Sequence, residues 1–133
     1  MIRIFKTDFI KRQLEPEELK CLEDDFRHYK GQGILPDLFG RDAPYNHPNT
    51  LPSVKAEDIW HIHLLDEESS WPTHCKNQSD KTSDHHLVYC PAYQTSNCFL
   101  LIAILSPNAH AQARKNQVMF NIAVMAESFR MKF

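Results

Sequence analysis

Four histidines stand where proton transfer becomes possible. His61 and His63 lie two apart in Ile59-Trp60-His61-Ile62-His63-Leu64, His86 opens His86-Leu87-Val88-Tyr89-Cys90, and His110 follows the apolar run Phe99-Leu100-Leu101-Ile102-Ala103-Ile104-Leu105. Imidazole gives and takes protons near neutral pH more readily than any other side chain. Such a set fits RNA cleavage without a metal or cofactor. One group removes the proton of a 2′-hydroxyl and a second protonates the leaving 5′-oxygen. A cation stabilises the charge that develops on phosphorus. Tyr89 is a further candidate acid or phosphate ligand. Arg41, Arg114, Arg130 and Lys132 are the candidate phosphate-binding cations.

Those side chains need strands to position them. All three segments read as β-strands, near 58–65, 85–91 and 98–105. In a strand, His61 and His63 share a face, while Trp60, Ile62 and Leu64 turn to the core. If the strands pair as an antiparallel meander, His61, His63 and His86 meet on one open face, and His110 reaches it from the end of the third strand. Two other readings fit the same residues. A His-x-His pair on a half-exposed strand also suits a solvated polar face, with Tyr89 an ordinary strand aromatic. Metal ligation is the other, since His74, Cys75, His85, His86 and Cys90 add donors, although their spacing matches no common zinc pattern.

The rest of the chain gives a simple order, β-α-loop-β-β-β-α. Residues 2–5 read as a first strand, and 8–14 are ambiguous between strand and helical turn. Pro16 suits the first position of a helix. Leu19, Leu22, Phe26 and Tyr29 recur at helical spacing, and Gly31 and Gly33 stop it. Residues 34–52, rich in Pro, read as a long loop of the kind that carries interactions, and 66–84 as a polar one. Ser106-Pro107-Asn108 starts a long final helix, with Val118, Ile122, Met125 and Phe129 as its apolar stripe. His28, His47 and His74 read as surface residues.

Composition bounds the class. At 133 residues, with 42% hydrophobic and 24% charged residues, the chain fits a single α+β domain spanning 1–133 with a core of its own. Its first residues are too short and too charged for a signal peptide, and the longest apolar run is far too short to span a bilayer. A cytoplasmic protein with reduced cysteines and no membrane partner is the expectation. The net charge of −2 disfavours a free-standing nucleic-acid binder. The charge is uneven, however: Glu15, Glu17, Glu18, Glu23, Asp24 and Asp25 load one helix, while Arg114, Lys115, Arg130 and Lys132 face Glu127 alone near the C-terminus.

Several stretches together resemble one family from end to end, the YafO-type toxins of bacterial type II toxin–antitoxin systems. They are Phe5-Lys6-Thr7, Glu17-Glu18-Leu19, Leu35-Pro36-Asp37-Leu38-Phe39-Gly40-Arg41-Asp42-Ala43, His61-Ile62-His63-Leu64, His86-Leu87-Val88-Tyr89-Cys90, Leu100-Leu101-Ile102-Ala103-Ile104-Leu105 and Met125-Ala126-Glu127-Ser128-Phe129-Arg130-Met131-Lys132-Phe133. The resemblance implies a ribosome-dependent endoribonuclease that cuts translated mRNA, binds the ribosome and is neutralised by a cognate antitoxin. The sheet alone is similar to the RelE-like toxin fold, implying a central antiparallel sheet with an N-terminal helix; the long C-terminal helix expected here is not a general feature of that fold. Relatives of that wider group carry Arg where His86 stands, so His86 is either phosphate contact or proton carrier. His110 falls where they have a functional His or Arg. Two further functions stay open: inhibition by occupying the ribosome without cleavage, and a His/Cys metal-binding interaction module.

Overall fold

The computed structural model describes residues 1–66 and 68–133. Five strands form one sheet: β1 (Arg3–Lys6), β2 (Phe39–Pro44), β3 (Trp60–Leu64), β4 (His86–Pro91) and β5 (Cys98–Leu105). Their order is β1-β5-β4-β3-β2. β2 through β5 pair antiparallel, as the meander requires. β1 joins the edge parallel to β5, which makes the sheet mixed rather than wholly antiparallel.

Helices cover both faces. On one lie α1 (Asp8–Gln13) and α2 (Pro16–Gln32). The ambiguous segment is α1 because Thr7 caps it: its Oγ1 accepts the Ile10 N–H at 3.0 Å and donates to the Ile102 carbonyl at 2.6 Å. Pro16 opens α2 behind a Glu15/Glu18 capping box, and Gly33 closes it at φ 69°, where a left-handed residue is needed. Leu19 and Phe26 of α2 pack with Ile10, Ile62, Leu87, Tyr89 and Leu101. The opposite face carries α3 (Pro52–Ala56), α4 (Ala109–Ala113) and α5 (Asn116–Lys132). There Ile122, Ala126 and Phe129 pack on Val88, Cys90, Leu100 and Ile102.

Two segments differ from the sequence reading. The expected loop over 34–52 contains a strand, β2, and the start of α3. Phe39-Gly40-Arg41-Asp42-Ala43-Pro44 has little β-propensity, yet an edge strand tolerates Pro and irregular register. The final helix is two helices: Asn108 precedes the short α4, and the chain re-caps at Lys115 before α5. Among the described residues, no helix is long and apolar enough to cross a membrane.

Candidate functional site

Strand register builds the site. His61 and His63 project from β3 toward the α5 side, and His63 pairs directly with His86 across β3 and β4. His61, His63 and His86 thus form one cluster, with ring centroids 4.4–5.2 Å apart. One ring nitrogen from each lies within 4.8 Å of the others, the spacing of a possible metal-ligand set. His63 and His86 are only 3% and 1% exposed. α4 brings His110 to the same place, its ring 5.1 Å from that of His86 and 5.9 Å from that of His63. His61, His86 and His110 line a cavity of about 720 Å³ together with Tyr45, Met119 and Arg114.

Burial sets the protonation of the cluster. Desolvation, reinforced by the neighbouring imidazoles and by Arg41, lowers His61 from 6.5 to about 3. Desolvation and the charges of His63 and His110 bring His86 to about 3. His63 moves the same way for the same first cause, opposed by its backbone bond to Ser83. These rings are neutral at pH 7 and carry free lone pairs. Among the described residues, two of the ring nitrogens, His61 Nδ1 and His86 Nε2, are buried without a hydrogen-bond partner.

Three supporting groups escaped the sequence reading. Tyr45 follows β2, stacks on His61 at 4.1 Å and sets its hydroxyl 3.1 Å from His86 Nδ1. Asp84 Oδ1 accepts from both the backbone N–H and Nδ1 of His110 at 2.9 Å, which fixes the tautomer and leaves Nε2 free. Those two bonds hold the Asp84 carboxyl below its usual range. Ser83 meets His63 Nδ1 through its backbone. The available signals were an aromatic next to Pro44 and an acid just before His85-His86, neither of which indicates contact across the chain.

The remaining candidates divide. Arg41 projects from β2, close enough for its charge to act on His61 and His63, and Arg114 lines the cavity. Tyr89 leaves the candidate set. The alternation of β4 turns it to the α2 face, where its hydroxyl donates to both Asp42 oxygens at 2.8 and 2.9 Å. Tyr29 and Lys30 hold the same carboxylate. Arg130 is also elsewhere: its guanidinium bonds the Ala56 carbonyl and Glu57 and lies over Tyr93. Lys132, exposed in the last turn of α5, is not among the cavity residues. His28, His47 and His74 are exposed, as expected.

Buried neutral imidazoles beside an Asp–His pair and two arginines can move protons next to a bound phosphate. Comparison with known proteins points the same way. The chain matches the family of toxin YafO, of type II toxin–antitoxin systems, over residues 27–131. It is 46% identical to the mRNA interferase toxin YafO of Escherichia coli (strain K12) over 132 residues, 99% of this chain and 100% of that one. No solved structure matches it. The chain therefore belongs to the YafO toxin family of type II toxin–antitoxin systems, in which each toxin has a cognate antitoxin as its partner.

Proposed function

We propose that the protein is a ribosome-dependent endoribonuclease that cuts translated mRNA in the cytoplasm, with the histidine cavity as its active site. The observation that carries this reading is the convergence of His61, His86 and His110 beside Arg114 in one cavity, with the His63 ring 4.4 Å from that of His86. The near-full-length likeness to a relative named an mRNA interferase supports the substrate class.

The chemistry uses the groups present. A neutral imidazole of the cluster accepts the 2′-hydroxyl proton as the 2′-oxygen bonds to phosphorus. His110, in its protonated form with Nδ1–H held by Asp84, delivers its Nε2 proton to the 5′-oxygen as the phosphorus–oxygen bond breaks. The products are a 2′,3′-cyclic phosphate and a free 5′-hydroxyl. Arg41 and Arg114 stabilise the added charge on phosphorus. Neutral rings suit the first role, because an imidazolium has no lone pair to offer.

The test is cleavage of labelled message in a purified translation system, with and without ribosomes, and 5′ ends mapped by primer extension. Discrete cuts that require ribosomes are expected. His63→Gln and His86→Gln, checked for native circular dichroism, should lose on the order of 10²-fold or more in cleavage rate. Full activity in both folded variants overturns the site. Blocked translation without cuts would mean inhibition by occupancy.

A further inference from the structure

We propose that His61, His63 and His86 also form a site for a divalent transition-metal ion of the zinc class, and that its binding switches the RNA chemistry off.

Geometry leads to this. The His-x-His of β3 and the directly paired His86 of β4 put three imidazoles on one rigid patch of sheet, with a nitrogen of each within 4.8 Å of the others. Among the described residues, two of the cluster's nitrogens, His61 Nδ1 and His86 Nε2, are buried and have no hydrogen-bond partner. A buried polar atom without a partner is costly and rare, so its persistence calls for a ligand. A metal ion satisfies such lone pairs.

The surroundings fit as well. Ligating imidazoles usually anchor their second nitrogen on a carbonyl or hydroxyl. His63 Nδ1 lies 2.9 Å from the Ser83 carbonyl, and donating there leaves its Nε2 lone pair free. Ser83 also offers its N–H to the same nitrogen at 2.8 Å, and metal binding would select the first tautomer. His86 Nδ1 meets the Tyr45 hydroxyl. The cavity supplies an entry path and room for water in a fourth position, the three-histidine pattern of open zinc sites. Neutral imidazoles without a carboxylate among them favour zinc, nickel or copper over magnesium or calcium. Zinc–nitrogen bonds of about 2.0–2.1 Å at tetrahedral angles set the nitrogens roughly 3.3 Å apart. The rings must therefore close by up to about 1.5 Å on loading, with half-buried His61 the freest to turn.

The inhibitory half rests on the proposed active site: a lone pair given to a metal cannot take a 2′-hydroxyl proton. Metal binding itself does not depend on that reading. Metal-free protein titrated with Zn²⁺ by calorimetry, and with Co²⁺ by visible absorption, should bind one equivalent. X-ray absorption of the wild-type zinc form should show three imidazole nitrogens, which needs no variant to fold. His61→Gln and His63→Gln should each weaken binding on the order of 10–100-fold or more, and His74→Ala, on an exposed histidine, should not. No stoichiometric binding, fewer than three imidazoles, or binding indifferent to both glutamine variants overturns the site. In the ribosome cleavage assay, added Zn²⁺ should abolish cuts and a chelator restore them. Unchanged or stimulated cleavage in the loaded protein overturns the switch. Absence of cuts in both states fails the ribonuclease reading instead, and the titration alone then decides the metal site.

Discussion

At the level of single residues, the sheet keeps imidazoles neutral at acidic pH values where water would protonate them. His61 and His86 fall from 6.5 to about 3, chiefly through desolvation. Between those values the unfolded chain binds protons that the folded chain refuses. Stability is therefore complete above about pH 6.5 and is lost as pH falls toward 3, approaching 1.4 kcal/mol per pH unit for each such histidine. Thermal melts from pH 7 to pH 4 should show a falling Tm, and His86→Gln should flatten the slope. An equal slope in the variant would show that His86 is not the buried neutral group. Much of this was legible: the two-residue spacing gives the shared face, and the strand pattern places His86 beside it. Tyr45 and Asp84 were not, because what makes them important is contact across the chain with His61, His86 and His110, and no local periodicity encodes that.

Among elements, β2 decides what the site looks like, and it is the one strand the sequence hid. Its Gly, Asp and Pro speak against a strand, and only pairing with β3 makes it one. Once formed, it separates two roles by alternation: Arg41 goes to the histidine side, while Asp42 goes to the α2 side to receive Tyr29, Lys30 and Tyr89. Tyr89 looked chemical by its neighbours in sequence and is structural by its face. Tyr89→Phe should cost about 1–3 kcal/mol in denaturant melts, since it deprives a nearly buried carboxylate of a donor. Cleavage per folded molecule should stay within a few-fold of wild type. A collapse of cleavage in folded Tyr89→Phe would return the hydroxyl to the mechanism. Gly40 shows a different constraint. A Cβ there would lie 2.2 Å from the Lys81 carbonyl, a backbone atom that cannot swing aside, where Arg41 N–H bonds the same oxygen at 2.8 Å. Gly40→Ala should destabilise by about 1–3 kcal/mol, and its cleavage should fall too, because the displaced strand carries Arg41. Wild-type stability would mean that the segment before Lys81 is free to retreat.

For the whole molecule, the puzzle is how a net charge of −2 fits the proposed RNA substrate. The two-sided sheet answers it. The acidic helix α2 packs on one face, against Ile62, Leu87 and Tyr89, whereas the cavity opens on the other, bordered by His110 and Arg114. Repulsion from Glu17 and its neighbours is thus screened by the width of the sheet and by salt at the Debye length of about 8 Å. Charge changes should then act by face and not by sum. Arg114→Glu should lower ribosome-dependent cleavage on the order of 10–100-fold and reduce the salt dependence of RNA binding by about one phosphate contact. Glu17→Lys, exposed on α2, makes the protein less acidic and should leave cleavage within about twofold. Both can be read in one cleavage assay at a series of salt concentrations. The reverse pattern, with Glu17→Lys strongly activating and Arg114→Glu silent, would mean that RNA approaches over α2, and the histidine cavity would lose its claim to the substrate.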